Sequence, residues 1–312
     1  MNKSIVQKSL WIATIAIVVA SILPNIAADY WLIDIFSNFK FQYLTLSIVL
    51  LISCFFLIKR RIVLLVLLSS AVLWNGYFIA PYYFQSNTTE LPSHKKVKFT
   101  SINLHSSNSE KELVLQYITE DDPDVLILME FTPTWQDALE PIMEAYPYRK
   151  LMPRNDNFGI TVWSKYKMQG TADYFELNSK PSIIANLLIE NISMSLIATH
   201  PIPPISQQTF ENRNTHLSNI LENRATYSDH LIIAGDFNTS SFSNHFRKLT
   251  RGDLKDSRLG FGLLPTWPAN YLLFQTTLDH FLVSKNITVL ERSTGKNIGS
   301  DHLPISLTVG IH

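Results

Sequence analysis

"HLIIAGDFNTS", residues 230–240, sets four apolar residues, Leu231 to Ala234, directly before a glycine, a carboxylate and an amide. An unbroken apolar run of this length, bounded by turn formers, reads as a strand buried on both faces. Side chains two apart on an extended chain share a face, so Asp236 and Asn238 look toward one point across Phe237. Burying such groups without partners is costly. The stretch therefore reads as a dry strand that delivers polar groups to a site.

The pattern recurs along the chain. "VKFTSIN" from 97 stops at Asn103, "DVLILME" from 124 at Glu130 and "MSLIATH" from 194 at His200. "TLDHFLVS" from 277 carries Asp279 at its start, and "GSDHLPISL" from 299 opens with Asp301 and His302. "GITVWS" from 159 and "ANLLIE" from 185 add further strand-like runs rich in Val, Ile and Leu. Helical spacing is confined to residues 109–120, where Ser109 is placed to cap with Glu112 three residues on, and to 209–225. Strands outnumber helices, so the expected class is α+β, built on sheets. Singly, each polar strand end has a plain explanation as a solvated group or an Asx-type turn. Together they argue for one shared site.

The first 84 residues have a different solvent. They contain only eight charged side chains, against 20 Lys+Arg and 23 Asp+Glu from Lys95 onward, a net of −3. Apolar stretches at about 10–28, 41–58 and 62–84 each approach the roughly 20 residues that cross a bilayer. Tyr30, Trp31, Tyr77, Tyr82 and Tyr83 stand near the span ends, where amphipathic rings favour the interface. Lys59, Arg60 and Arg61 between the second and third spans keep that turn cytoplasmic. The expected arrangement is a three-helix anchor over 1–84 in the cell (inner) membrane, a linker over 85–96, and a domain over 97–312 on the extracytoplasmic or periplasmic side. Cys54, alone and within a span, excludes an intramolecular disulfide.

From Val97 to Ile311 the chain resembles the endonuclease/exonuclease/phosphatase superfamily. "SINLH", "LILME", "FGITVWSK", "GDFN", "LDHFLVS" and "SDHLPISL" are similar to its motifs and follow in its order. The resemblance implies a four-layered α/β sandwich of the deoxyribonuclease I type, with the site at one rim of two packed sheets. It also implies hydrolysis of phosphate esters with Mg²⁺ or Mn²⁺, which suit oxygen-rich ligands. Glu130 is then the principal metal ligand, with Asn103 beside it and Asp301 a further contact. His302 acts as base or phosphate holder, and Asp279 fixes its ring. Asp236 orients or deprotonates the water, while Asn238 and His200 donate to phosphoryl oxygens. Trp267 in "LPTWPAN" and Arg213 are candidate substrate contacts. His105 departs from the pattern, standing where many of the nucleases carry an acidic residue, which weakens a second metal site. The expected partners are the bilayer and a phosphate ester: a lipid headgroup, a nucleic acid or a small molecule. A net-negative domain without a basic run disfavours duplex DNA. A nuclease, or an inactive binding domain of the same fold, is the alternative.

Overall fold

The computed structural model describes residues 3–57, 62–84, 95–177 and 180–311. The Lys59–Arg61 turn, and the expected linker up to residue 94, lie outside the described residues. Twelve strands are described, and they form two six-stranded sheets. They are β1 (Lys95–Asn103), β2 (Val125–Met129), β3 (Tyr148–Met152), β4 (Ile160–Ser164), β5 (Lys167–Asp173) and β6 (Ser182–Ile189). β7 (Ile192–Ala198), β8 (His230–Asp236), β9 (Leu254–Asp256), β10 (Asp279–Ser284), β11 (Thr288–Thr294) and β12 (Ile305–Ile311) follow. One sheet runs β11-β12-β1-β2-β4-β3 and the other β5-β6-β7-β8-β10-β9.

Alternation along the central strands makes the layers. Val125, Ile127 and Met129 of β2 face the interior between the sheets, where they join Ile232 and Ala234 of β8. Leu126 and Leu128 face outward, under Val114 and Ile118 of one helix and Trp135 of another. Leu231 and Ile233 of β8 likewise face outward, against Leu217, Ile220 and Phe246. A strand covered on both faces must be apolar at every position, which is why these runs are unbroken. Each such side chain, fully buried, contributes about 1.5–3 kcal/mol. The result is the expected four-layered α+β sandwich, with helices outside both sheets.

The helices are α1 (Lys3–Ile26), α2 (Trp31–Asp34), α3 (Lys40–Leu57), α4 (Ile62–Phe84), α5 (Lys111–Asp121), α6 (Pro133–Ala138), α7 (Gln207–Glu222) and α8 (Asn244–Leu249). Ser109 is not the cap of α5: the helix begins at Lys111, and its N-cap is Glu110 without a side-chain bond. α7 has a full capping box from Ser206 and Thr209, so it starts two residues before the expected span.

Residues Ile5–Ile26, Trp31–Phe56 and Ile62–Phe84 are each long and apolar enough to cross a membrane. They share a small core of Ile17, Cys54, Leu64 and Leu68. The ends leading into the sandwich are docked on it rather than merely tethered. Phe78, Ile79 and Tyr82 of α4 pack with Phe242 and Leu263. Tyr82 also donates its hydroxyl to Asp256 at 3.1 Å.

Candidate functional site

Asn103 ends β1, Glu130 follows β2, His200 follows β7 and Asp236 ends β8. β1 pairs with β2, and β7 with β8, in parallel, so these four ends lie on one rim. β10 runs antiparallel to β8 with Asp279 directly opposite Asp236. The rim is thus assembled by topology before any side chain is considered.

Leaving the strands at this rim forces unusual backbone. Glu130, Asn238 and His105 have φ of 54°, 51° and 57°, a conformation that costs non-glycine residues about 1–3 kcal/mol each and clusters at functional sites. Gly235 has φ of 140°, and a Cβ there would lie 1.9 Å from the Thr199 carbonyl oxygen. Only a residue without a side chain lets β8 pass that close.

The carboxylate of Asp236, 2 % exposed, is the hub. Asn103 Nδ2 donates to its Oδ2 at 3.3 Å. His200 Nε2 and His302 Nε2 each stand 3.5 Å from the same oxygen. The other oxygen accepts the Asn238 amide at 2.9 Å, and the backbone N–H of Asp236 donates to the Met129 sulfur at 3.0 Å. On its far side, the His302 Nδ1–H meets Asp279 Oδ2 at 2.8 Å. An imidazole between two buried carboxylates thus forms a linear chain: Asp279, His302, Asp236.

That chain sets the protonation states. Burial works against a charged His302 ring, but Asp279 and then Asp236 outweigh it and raise its pKa to about 10. Burial alone would raise Asp236; the charge of His302 and the hydrogen bond from His200 overcome this and hold its carboxyl well below the usual range. At neutral pH the pair is an imidazolium beside a carboxylate.

Glu130 follows Met129, the register partner of Asn103 across the parallel pair, and is 7 % exposed. Its Oε2 accepts the Ser106 amide at 2.8 Å. Asn103 Oδ1 accepts from the His105 amide at 3.0 Å. Asp301 sits farther out, its side chain 44 % exposed, and accepts from the Trp267 indole at 3.2 Å. His105 Nδ1 is 3.9 Å from Asp301, so His105 borders the expected metal side of the site. Among the described residues, Asp236, Asp279 and His302 form a group tight enough to enclose an ion, with ligand atoms within 4.8 Å of one another. Their short contacts to a protonated ring make that trio an ion-pair chain. The carboxylate of Glu130 and the amide oxygen of Asn103 are the hard-oxygen donors there that suit Mg²⁺ or Mn²⁺.

The sequence profile of the Endonuclease/Exonuclease/phosphatase family matches residues 100–302. The chain belongs to this family. Members of the family generally hydrolyse phosphate esters with divalent metal ions, and every motif residue named above falls within the matched span. No curated protein sequence matches the chain. Among solved structures, a humanized D. rerio TDP2 carrying 14 mutations is similar at TM-score 0.60 and 18% identity, over 69% of this chain and 99% of that one. D. rerio TDP2 complexed with a single-strand DNA product gives 0.59 and 17%, over 70% and 100%. A family protein from Leptotrichia buccalis C-1013-b gives 0.57 and 17%, over 69% and 100%. These likenesses show the fold.

Arg213, expected as a substrate contact, is 1 % exposed, with its guanidinium engaged inside the protein. Its guanidinium donates to the Asn238 carbonyl at 2.5 Å and to Asp34 of α2 at 3.3 Å, so it fixes the loop that carries Asn238. Asn238 in turn donates its side-chain amide to the Pro201 carbonyl at 3.1 Å. Trp267 stands at the rim, its ring 6.4 Å from that of His302. Ser106 and Ser300 were missed. Ser300 donates to the Asn103 carbonyl at 2.7 Å and accepts the His302 amide at 3.1 Å, tying two motifs together. Its place just before the Asp301-His302 pair is the signal that marks it.

Proposed function

We propose that the protein is a membrane-anchored, divalent-metal-dependent phosphoesterase whose catalytic domain faces the extracytoplasmic side. The observation that carries the reading is the Asp279–His302–Asp236 chain at the strand-end rim. Asp236, held ionised, accepts a hydrogen bond from the attacking water and takes its proton. His302, held protonated, donates to a phosphoryl oxygen where charge accumulates, and Asp279 keeps the ring oriented and charged. His200 and Asn103 line the same carboxylate and add donors. Asn238 stands with them, and release from Pro201 would free its amide to donate. Glu130 and Asn103, with Asp301 at the edge, would hold Mg²⁺ or Mn²⁺, which when bound supplies Lewis-acid charge neutralisation and a template for the substrate. Trp267 provides an aromatic wall at the mouth.

The test uses the full chain in detergent with Mg²⁺ or Mn²⁺ on bis(4-nitrophenyl) phosphate, DNA, RNA and inositol phosphates. Turnover is expected to vanish with EDTA and in Asp236→Ala and His302→Ala. Activity that survives Asp236→Ala rules the mechanism out. Protease added outside intact cells or spheroplasts should cut the domain; full protection there would reverse the sidedness. A nuclease reading is weaker, because the residues from Lys95 onward are net negative and polyanion binding rests on clustered cations.

A further inference from the structure

Resting on the phosphoesterase reading, the geometry points to a substrate class: we infer that the site acts on phosphate esters of lipids in the membrane that anchors it. Two segments border the mouth, and both are bonded to the stretch Asp29–Gln42, which joins the first apolar helix to the start of α3. The first runs from Trp267 to Thr276. At the site end its Trp267 indole and Ala269 amide donate to Asp301, at 3.2 and 2.7 Å. At the anchor end, Gln42 donates to the carbonyls of Leu273 and Gln275 at 3.3 and 2.9 Å, and Thr276 donates to that of Asn38 at 3.0 Å. Between these fixed ends the tip presents Tyr271, Leu272, Leu273 and Phe274, exposed by 66, 80, 80 and 63 %.

The second segment follows His200. Its Pro201 carbonyl holds Asn238, its Ile205 is 73 % exposed, and Gln207 at its end bonds to Trp31 and Asp29 of the same stretch. Four consecutive large apolar side chains in water are costly, since each forgoes about 1.5–3 kcal/mol of burial. Here they are held beside the start of α3 by Gln42 and Asn38, and with that helix spanning a bilayer the membrane surface is the apolar phase within their reach. With the tip of Tyr271–Phe274 seated among headgroups, the mouth beside Trp267 and Asp301 opens at headgroup level. A lipid phosphate then enters the rim without its chains leaving the bilayer. A nucleic acid would instead meet an apolar border.

The experiment reconstitutes the full chain in vesicles of phosphatidylethanolamine, phosphatidylglycerol or sphingomyelin, with bis(4-nitrophenyl) phosphate as the soluble control. The wild type should release headgroup phosphate from at least one vesicle lipid. The double variant Leu272→Ser/Leu273→Ser should lower that release roughly tenfold or more, as expected for lost interfacial anchoring, while turnover of the soluble ester stays within about twofold. Independently of activity, an environment-sensitive dye on Leu273→Cys in a Cys54→Ser background should be quenched by lipids carrying a spin label near the headgroup. Soluble-ester turnover without lipid cleavage, faster cleavage of an oligonucleotide than of lipid, or a dye that reports bulk water overturns the inference. A wild-type protein with its metal supplied that hydrolyses neither lipid nor soluble ester overturns the phosphoesterase reading instead, and the dye still reports the position of the loop.

Discussion

Asp279 and Asp236 flank one imidazole, and the order in which those contacts are lost can be measured. Asp279→Asn removes the carboxylate that holds the Nδ1 proton at 2.8 Å. Turnover of an aryl phosphodiester should fall by about 10²–10⁴. The alkaline limb of the pH–rate profile should also move to lower pH, because a ring with one carboxylate neighbour gives up its proton earlier. An unchanged alkaline limb would show that His302 does not act as a proton donor. Gly235 is the other residue on which the rim depends. In Gly235→Ala the new methyl meets the Thr199 carbonyl, and the backbone sits at φ of 140°. A loss of about 1–3 kcal/mol from strain alone is expected, read as a lower unfolding midpoint in detergent; a midpoint equal to wild type would mean that β8 can move aside freely.

At the level of elements, two buried histidines away from the candidate site brace the sheet of β8, one from a helix and one from a strand. His216 of α7 bonds through Nε2 to Ser182 and Thr199, each at 2.9 Å, and burial lowers its pKa to about 4. His280 of β10 donates to the Thr239 carbonyl at 2.7 Å and accepts from Arg258 at 3.0 Å. Burial, then the Arg258 charge, lowers its pKa to about 3. Both rings are neutral when folded and take a proton near pH 6.5 when unfolded, so the unfolded chain binds more protons as the solution is acidified. Stability should decline from pH 6.5 toward 4 by about 1.4 kcal/mol per ring per pH unit. His302 has the opposite sign: its contribution is complete below pH 6.5 and is lost between there and about 10. Unfolding midpoints scanned from pH 4 to 10 should therefore peak near 6.5, and a flat acid limb would contradict the buried neutral rings.

The same scale shows what could be read from the residues. β1, β2, β4, β6, β7, β8, β10 and β12 each coincide with an apolar run, because neighbours or helices cover them. β3, β5, β9 and β11 gave no such signal, and each is the edge strand of its sheet. An edge is partly solvated and carries polar residues, as in "YRKLM" and "KMQGTAD". α6 and α8 have six residues apiece, too few to display a helical period. Asn103, His200, Asp236, Asp279 and His302 stood out because each closes or opens a legible run, and the structure brings them around one oxygen-rich centre. Asp34 and Arg213 lie 179 positions apart and follow no pattern, so their pairing could not be anticipated.

For the whole molecule, that pairing joins the N-terminal apolar helices to the candidate site. Asp34 accepts from Arg213 at 3.3 Å and from Ser243 at 2.7 Å, and Arg213 reaches the Asn238 carbonyl. Asp34→Asn leaves a guanidinium buried beside a neutral amide. The expected cost is about 3–5 kcal/mol, together with reduced turnover as the Asn238 loop loosens. Replacing both partners, Asp34→Asn with Arg213→Met, should recover much of the stability but not the turnover, since the Asn238 carbonyl still lacks its donor. Full recovery of turnover in the double variant would show that the link has no part in shaping the site.

The contact of Phe78, Ile79 and Tyr82 with Phe242 and Leu263 has a practical corollary. A version trimmed to the sandwich alone would display a raw greasy scar where those rings had been seated, beside an arginine stripped of its counter-ion. Such a fragment should clump, and any poor performance would reflect the amputation rather than the chemistry. Hydrophobic helices of this kind are thus part of the folded body rather than an appendage to it.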